Sequence, residues 1–455
     1  MIELNLHTAA EALQAELQGD GETIFSGVSI DSRTLIPGNL FVAIKGEKFD
    51  GHDYIGQVEE AGAIALLVHR PVKSYLPQII VKDTFQALGQ LAGFWRSRFK
   101  TPVVGITGSA GKTTTKQMLG AILSQAGNTL IPEGNKNNYY GVPLTLFRLS
   151  MDHAYAVIEM GADRPGEISY LTNIVRPDVA IITNVAAVHL QVEEGVGFGS
   201  VEGVFKEKSE IFSLLPENGV AVINADDHFF PAWEKNLKAK RRISFGLQHP
   251  ADVYAVHLEP NSEMRYNFDL ATPMGHTNLT LSSLGKHNVM NALAASSAAI
   301  ALGIPLEDIK AGLEAVATVE KRLIRYPGKK GALIIDDSYN ANVKSVPAVM
   351  EMLANFPGRR IMIFGDMLQL GATSLEEHAK VGELAKQLGL NYFFAYGPDS
   401  QAAVQSFGEH AAHFDAHEDL VEAVLPLLNT DTVVVVKGSR GMKMENVVKG
   451  LRNEA

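Results

Sequence analysis

The chain of 455 residues contains no cysteine. Disulfides and thiolate metal sites are therefore excluded, and nothing requires an oxidising compartment. Long apolar runs are missing too: none approaches the ~18 residues of a membrane helix, so no membrane span is expected. Positive charge is in deficit, with 40 Lys and Arg against 51 Asp and Glu, a formal net charge of -11. That balance argues against a general nucleic-acid binder, and any anionic ligand must be held by local features. Met1-Ile2-Glu3-Leu4 carries an early acid and no basic segment before an apolar core, so no signal peptide is expected and a cytoplasmic location fits. No repeat or low-complexity tract is visible. The length accommodates about three domains of ~150 residues.

The most informative stretch is 103–126. The apolar run Val103-Val104-Gly105-Ile106 enters Thr107-Gly108-Ser109-Ala110-Gly111-Lys112-Thr113-Thr114, and Met118, Leu119, Ile122, Leu123 and Ala126 then recur at helical spacing. This reads as strand, glycine loop and helix. Unpaired amides and the positive end of the helix dipole make such a junction a phosphate site. Gly108 and Gly111 let the backbone approach phosphate oxygens, Lys112 can bridge the outer phosphates, and the Thr113 hydroxyl can ligate magnesium. The expected ligand is ATP, held by 108–114. The general phosphate-loop pattern places a glycine where this chain has Ile106, so the loop is the shorter G-x-x-G-K-T.

Residues 1–100 read as a small α/β unit. Ser29, Asp31, Ser32 and Arg33, with Asp50, Gly51 and His52, could bind a diphosphate or sugar, Arg33 supplying the phosphate fork. A pair of polar turns accounts for them equally well. Residues 101–325 alternate strands near 154–158, 179–183 and 220–224 with helical patterns, implying a mostly parallel sheet. The segment 241–281 reads as an antiparallel appendage, and 287–301 as a long helix. Residues 326–455 form a second doubly wound, Rossmann-like unit. It has no glycine fingerprint after its first strand, so dinucleotide binding is not expected.

Within the middle unit, Glu159 ends a strand where a carboxylate can face the loop phosphates and hold magnesium, although a buried salt bridge is the competing reading. His189 follows another strand end. Lys208 lies in Lys206-Glu207-Lys208-Ser209-Glu210, which alone is a solvated charged face. His287-Asn288-Val289-Met290-Asn291 opens a helix and Arg322 precedes the third unit; these could contact ATP or serve as a cap and a surface charge.

Taken together in order, these motifs resemble the Mur ligases of peptidoglycan synthesis, most closely the D-alanyl-D-alanine-adding branch. The resemblance runs through Asn137-Asn138 with Gly141-Val142-Pro143, Glu159-Met160-Gly161, Asn184 to His189, Lys208, His287-Asn288 with Asn291, Asp336 to Asn342, Gly365-Asp366-Met367 with His378, and Lys437-Gly438-Ser439-Arg440. It implies three domains: one for the UDP-sugar, a central phosphate-loop ATPase, and one for the incoming dipeptide. It also implies an acyl-phosphate mechanism joining D-alanyl-D-alanine to UDP-N-acetylmuramoyl-tripeptide. Lys112, Glu159, His189 and Lys208 become the catalytic set, and Thr113, Glu159, His189 and a carbamylated Lys208 the magnesium ligands. Asn291, Arg322 and Asp337 become ATP contacts. Asn137, Asn138, Asn340, Asn342, Asp366 and Arg440 become substrate contacts, and a monomer is expected. The chain departs from the family at Tyr139-Tyr140, where Glu-Ile is usual, and at Val343, where proline is usual.

The sister ligase adding a single amino acid is disfavoured by the missing Asp-Asn-Pro-Arg motif, and a GTPase by the missing Asn-Lys-x-Asp. A folylpolyglutamate synthase usually lacks the front domain. A silent nucleotide-sugar binder is disfavoured by the intact Lys112, Glu159, His189 and Lys208.

Overall fold

The computed structural model describes residues 1–46, 48–192, 195–237, 241–261, 265–316 and 321–453. The runs Val103–Thr107, Tyr155–Glu159, Val179–Ile182 and Val220–Asn224 lack polar alternation and are almost wholly buried. Strands covered on both faces have that pattern. They lie in a nine-stranded sheet ordered Thr129–Leu130, Tyr155–Glu159, Val103–Thr107, Val179–Ile182, Val220–Asn224, Arg241–Gly246, Val253–Pro260, Arg265–Thr272 and Gly275–Leu284.

The segment after residue 240 is thus no appendage. Arg241–Gly246 pairs in parallel with Val220–Asn224, and only the last two pairings are antiparallel. One continuous ladder satisfies edge amides that a detached hairpin would leave open. The helix Lys112–Ala126 packs against Lys286–Ala301 and Leu306–Ala315, burying Met118, Leu119, Ile122 and Leu123 with Val289, Leu293 and Leu313.

The first domain holds a five-stranded sheet and the helix Thr84–Ser97. Asp83 caps that helix by accepting from the amides of Phe85 and Gln86, and the Thr84 hydroxyl ties it to the Ala43 carbonyl. Its other face packs on the central helices Gly141–Leu146 and Glu167–Val175.

The third domain is a six-stranded sheet, parallel except for its first strand, Ile324–Pro327, which runs antiparallel to Leu333–Asp337. The expected division after residue 325 therefore cuts a strand; the sheet begins at Ile324. Just before it, Lys321 (φ 57°) and Leu323 (φ 55°) adopt left-handed backbone on either side of Arg322. No helix among the described residues is long and apolar enough to cross a membrane.

Candidate active site

The strand Val103–Thr107 delivers the chain to Gly108 (φ 148°) and Gly111 (φ 83°), conformations that favour glycine. Both are also places of close approach: a Cβ on Gly108 would strike the Thr183 hydroxyl, and one on Gly111 the Asn291 side chain. The loop is held from the neighbouring strand end. Ser109 donates its amide to the Asn184 carbonyl (2.9 Å), and Ala110 donates its amide to Asn184 Oδ1 (3.0 Å). The Thr183 hydroxyl donates to the Ala110 carbonyl (2.6 Å). Lys112 opens the helix and folds back, Nζ donating to the Gly108 carbonyl at 2.6 Å. Burial lowers its pKa, Glu159 opposing that and Arg322 adding to it.

Glu159 is the electrostatic centre. Oε1 accepts from the Thr113 hydroxyl (3.1 Å) and from Asn137 Nδ2 (2.8 Å), and Oε2 pairs with Lys116 Nζ at 3.2 Å. Burial disfavours its charge, but Lys116, Lys112 and Asn137 outweigh burial and hold the carboxyl below its ordinary range. From the opposite side Arg322 donates to the Thr113 hydroxyl at 3.1 Å, while its guanidinium lies 4.3 Å from the ring centre of Tyr339 in the third domain. These groups line a cavity of about 580 Å³. Its remaining wall includes apolar Phe245, Leu247, Met290 and Ala294 and, from the third domain, Asp337, Asn340, Asn342, Lys344 and Lys437. Lys437 donates to Asp337 Oδ2 (2.5 Å) and to the Asn340 carbonyl (2.8 Å).

His189 and Lys208 stand beside the cavity. His189 has left-handed backbone (φ 52°), and its Nδ1 is sealed from solvent with no hydrogen-bond partner among the described residues. Burial, then Lys112 and Lys208, lower its pKa. Lys208 is buried on the helix Val201–Ser209, with Nζ 6.0 Å from the ring centre of Phe198. Burial, reinforced by the charge of Lys112, lowers its pKa to about 7. Among the described residues no three His, Asp or Glu side chains form a metal cluster.

This arrangement can grip a nucleoside triphosphate and act on its outer phosphate, and the comparisons specify the family. Residues 24–96, 106–299 and 321–440 match the profiles described as Mur ligase family, catalytic domain; Mur ligase middle domain; and Mur ligase, glutamate ligase domain. UDP-N-acetylmuramoyl-tripeptide--D-alanyl-D-alanine ligase of Escherichia coli is 43% identical, with 99% of each chain covered.

The chain belongs to the Mur ligase family. Among solved structures, MurF from Acinetobacter baumannii matches with a TM-score of 0.93 and 36% identity, covering 99% of this chain and 98% of that one. MurF ligase from Thermotoga maritima, solved in complex with ADP, matches with a TM-score of 0.82 and 29% identity, covering 93% and 96%.

In this Mur ligase the cavity brings together Ser109 to Thr114, Asn137, Glu159, Asn291, Arg322, Asp337, Asn340 and Asn342. The first-domain candidates lie outside it. Arg33 makes a two-pronged contact with Asp31 (2.9 and 2.6 Å), a hydrogen bond that holds the Asp31 carboxyl at about 2, and Ser29 donates its hydroxyl to the Asp31 carbonyl.

Two expected substrate contacts have their side chains engaged within the protein. His52 is buried: its Nε2 accepts from the His69 amide, so Nδ1 carries the proton and donates to Asp50 at 2.6 Å, leaving neither nitrogen for a ligand. Gly51 between them is pressed against the Ala43 backbone. Asp366 is likewise buried, accepting from the amides of Asp399 and Ser400. Asn138 and Asn342 use their side chains to accept from amides that open the helices Gly141–Leu146 and Ser345–Ala354. Arg440 is exposed, 5.7 Å from the ring centre of Tyr339.

The sequence reading missed Lys116, which is fully buried, pairs with Glu159 and donates to the Gly134 carbonyl at 2.7 Å. Its position one helical turn after Lys112 was the available signal, since residues four apart share a face.

Proposed function

We propose that this Mur ligase joins D-alanyl-D-alanine to UDP-N-acetylmuramoyl-tripeptide in an ATP-dependent reaction of peptidoglycan precursor synthesis. The observation that carries the reading is the shared cavity: Lys112, Thr113 and Glu159 face groups of the third domain, so the triphosphate and the acceptor amine can meet there. The named activity of full-length relatives supplies the substrates.

The terminal carboxylate of the tripeptide attacks the γ-phosphorus; the bond to the bridging oxygen breaks and ADP leaves with its electron pair. The dipeptide amine then attacks the acyl phosphate, and the tetrahedral intermediate collapses, releasing phosphate and a proton. Helix amides after Gly111 and the ammonium of Lys112 stabilise the charge that develops, with Arg322 opposite them. The third domain, lying over the loop, keeps water from the acyl phosphate.

Magnesium fits the donor set. The Thr113 hydroxyl and the Glu159 carboxylate are hard oxygen donors already in contact, and the unpartnered Nδ1 of His189 is available. Bound magnesium supplies neutralisation of phosphate charge. Lys208, a cation opposed by Lys112, fits that role only after its neutral amine takes up CO₂ and loses a proton to become a carbamate. Its lowered pKa makes that amine abundant near neutrality.

In this reading residues 1–100 bind the UDP-sugar through Ser32 and Arg33, 101–323 bind ATP, and 324–455 seat the dipeptide. The enzyme works as a monomer in the cytoplasm.

The test is phosphate release from ATP with magnesium, tripeptide substrate and D-alanyl-D-alanine, omitting each in turn. Release requiring both co-substrates is expected; release with neither, or none at all, overturns the reading.

A further inference from the structure

The loop at 133–140 is exposed along most of its length; only Asn137, Tyr139 and Tyr140 are half-buried. Neither tyrosine lines the cavity. Both meet Phe85 edge-on, with ring centres 5.4 and 5.6 Å apart, and Tyr139 also meets Tyr170 at 6.3 Å. Phe85 and Tyr170 are stacked at 5.7 Å. Phe85 lies on the helix Thr84–Ser97, tied to the first-domain sheet through Thr84, and Tyr170 on the central helix Glu167–Val175. The Tyr170 hydroxyl has no hydrogen-bond partner among the described residues. The cluster is therefore held by ring packing.

The opposite side of the loop touches the phosphate site. Asn137 donates from Nδ2 to Glu159 Oε1 at 2.8 Å, and its carbonyl accepts from the Gly161 amide at 2.8 Å. Lys116 bridges the Gly134 carbonyl and Glu159 Oε2. The loop is thus clamped between an aromatic cluster and the carboxylate that faces Thr113.

We propose that Tyr139 and Tyr140 are positioning residues that lock the 133–140 loop onto Phe85 and Tyr170, so that Asn137 fixes the orientation of Glu159. This rests on the reading of Glu159 as a magnesium ligand. The rings, not the hydroxyls, do the holding, and they couple the first domain's helix to the phosphate loop of the second.

The experiment is calorimetric titration of ADP with and without magnesium into the full-length wild type and its variants. These are Tyr139→Ala/Tyr140→Ala, Tyr139→Phe/Tyr140→Phe, Phe85→Leu and Glu159→Gln. Removing groups that orient a metal ligand typically weakens metal affinity roughly tenfold or more. The double alanine variant and Phe85→Leu should lose about that much Mg-ADP affinity, keep their affinity for metal-free ADP and show a matching fall in kcat. The double phenylalanine variant should behave as wild type.

Unchanged Mg-ADP binding in the alanine variant, equal loss with and without metal, or equal damage in the phenylalanine variant would overturn the proposal while leaving Glu159 in place. Should the alanine variant fail to fold, Phe85→Leu decides alone. If Glu159→Gln itself leaves Mg-ADP binding unchanged, the metal reading falls first and takes the proposal with it.

Discussion

Lys208→Met should make the protein more stable and inactive at the same time. An unfolded lysine titrates near 10.5, whereas burial lowers that of Lys208 to about 7, so between these values the native state binds fewer protons than the unfolded one. Stability therefore rises with pH through that window, and the full penalty applies below it. The penalty is about 5 kcal/mol in acid, about 4 kcal/mol at pH 7 and about 2 kcal/mol at pH 9. Methionine keeps the length and apolar volume and removes the charge, so the gain over wild type should follow the same curve. Trp233 is a local reporter, because its indole N–H donates to the Ser209 hydroxyl at 2.9 Å, next to Lys208. The assay is urea unfolding followed by tryptophan fluorescence at pH 7 and 9 in CO₂-free buffer. The variant should lead at pH 7 by several times the error, and the lead should shrink by about 2 kcal/mol at pH 9. Adding bicarbonate should stabilise only the wild type. A variant less stable than wild type, or a lead independent of pH, would refute the account of Lys208 as a buried, reluctant cation.

Lys116→Met removes the partner of Glu159 Oε2 and should destabilise the fold by about 3 kcal/mol at pH 8. The loss should be smaller at pH 5, where Glu159, no longer held ionised by Lys116, can take a proton; urea midpoints at the two pH values check this. Gly108→Ala forces a side chain into a glycine conformation and against Thr183. At about 1–3 kcal/mol of strain it should lower kcat/KM for ATP roughly 10- to 100-fold, measured by steady-state phosphate release.

The phosphate loop was legible because every part of it is local: apolar strand, two glycines, Lys112, then a helix. The third domain was legible for the same reason, its strands and helices alternating in plain view. Glu159 stood out by position, at the end of a strand beside the loop in a parallel sheet, and His189 by following the next strand, Val179–Ile182. What stayed hidden shares one cause. Asp50-Gly51-His52 and Asp366 carry polar groups that look free in one dimension, and the partners that engage them lie elsewhere in the chain: the His69 amide in one case, those of Asp399 and Ser400 in the other. Phe85 and Tyr170 lie far from Tyr139 in the chain, and only the fold sets them beside it. The segment 241–281 read as an antiparallel appendage because the pairing that joins it to the sheet, Arg241–Gly246 with Val220–Asn224, is parallel and lies across an intervening helix.

Arg322 has a consequence of its own. Its guanidinium is bonded to the hydroxyl of Thr113 in one domain and stacked on Tyr339 in another, and its backbone sits between two left-handed residues at the seam. The joint of the enzyme and its nucleotide grip are therefore one device. A rotation of the third domain about residues 321–323 would have to break one of these two contacts or carry the Thr113 end of the phosphate loop with it.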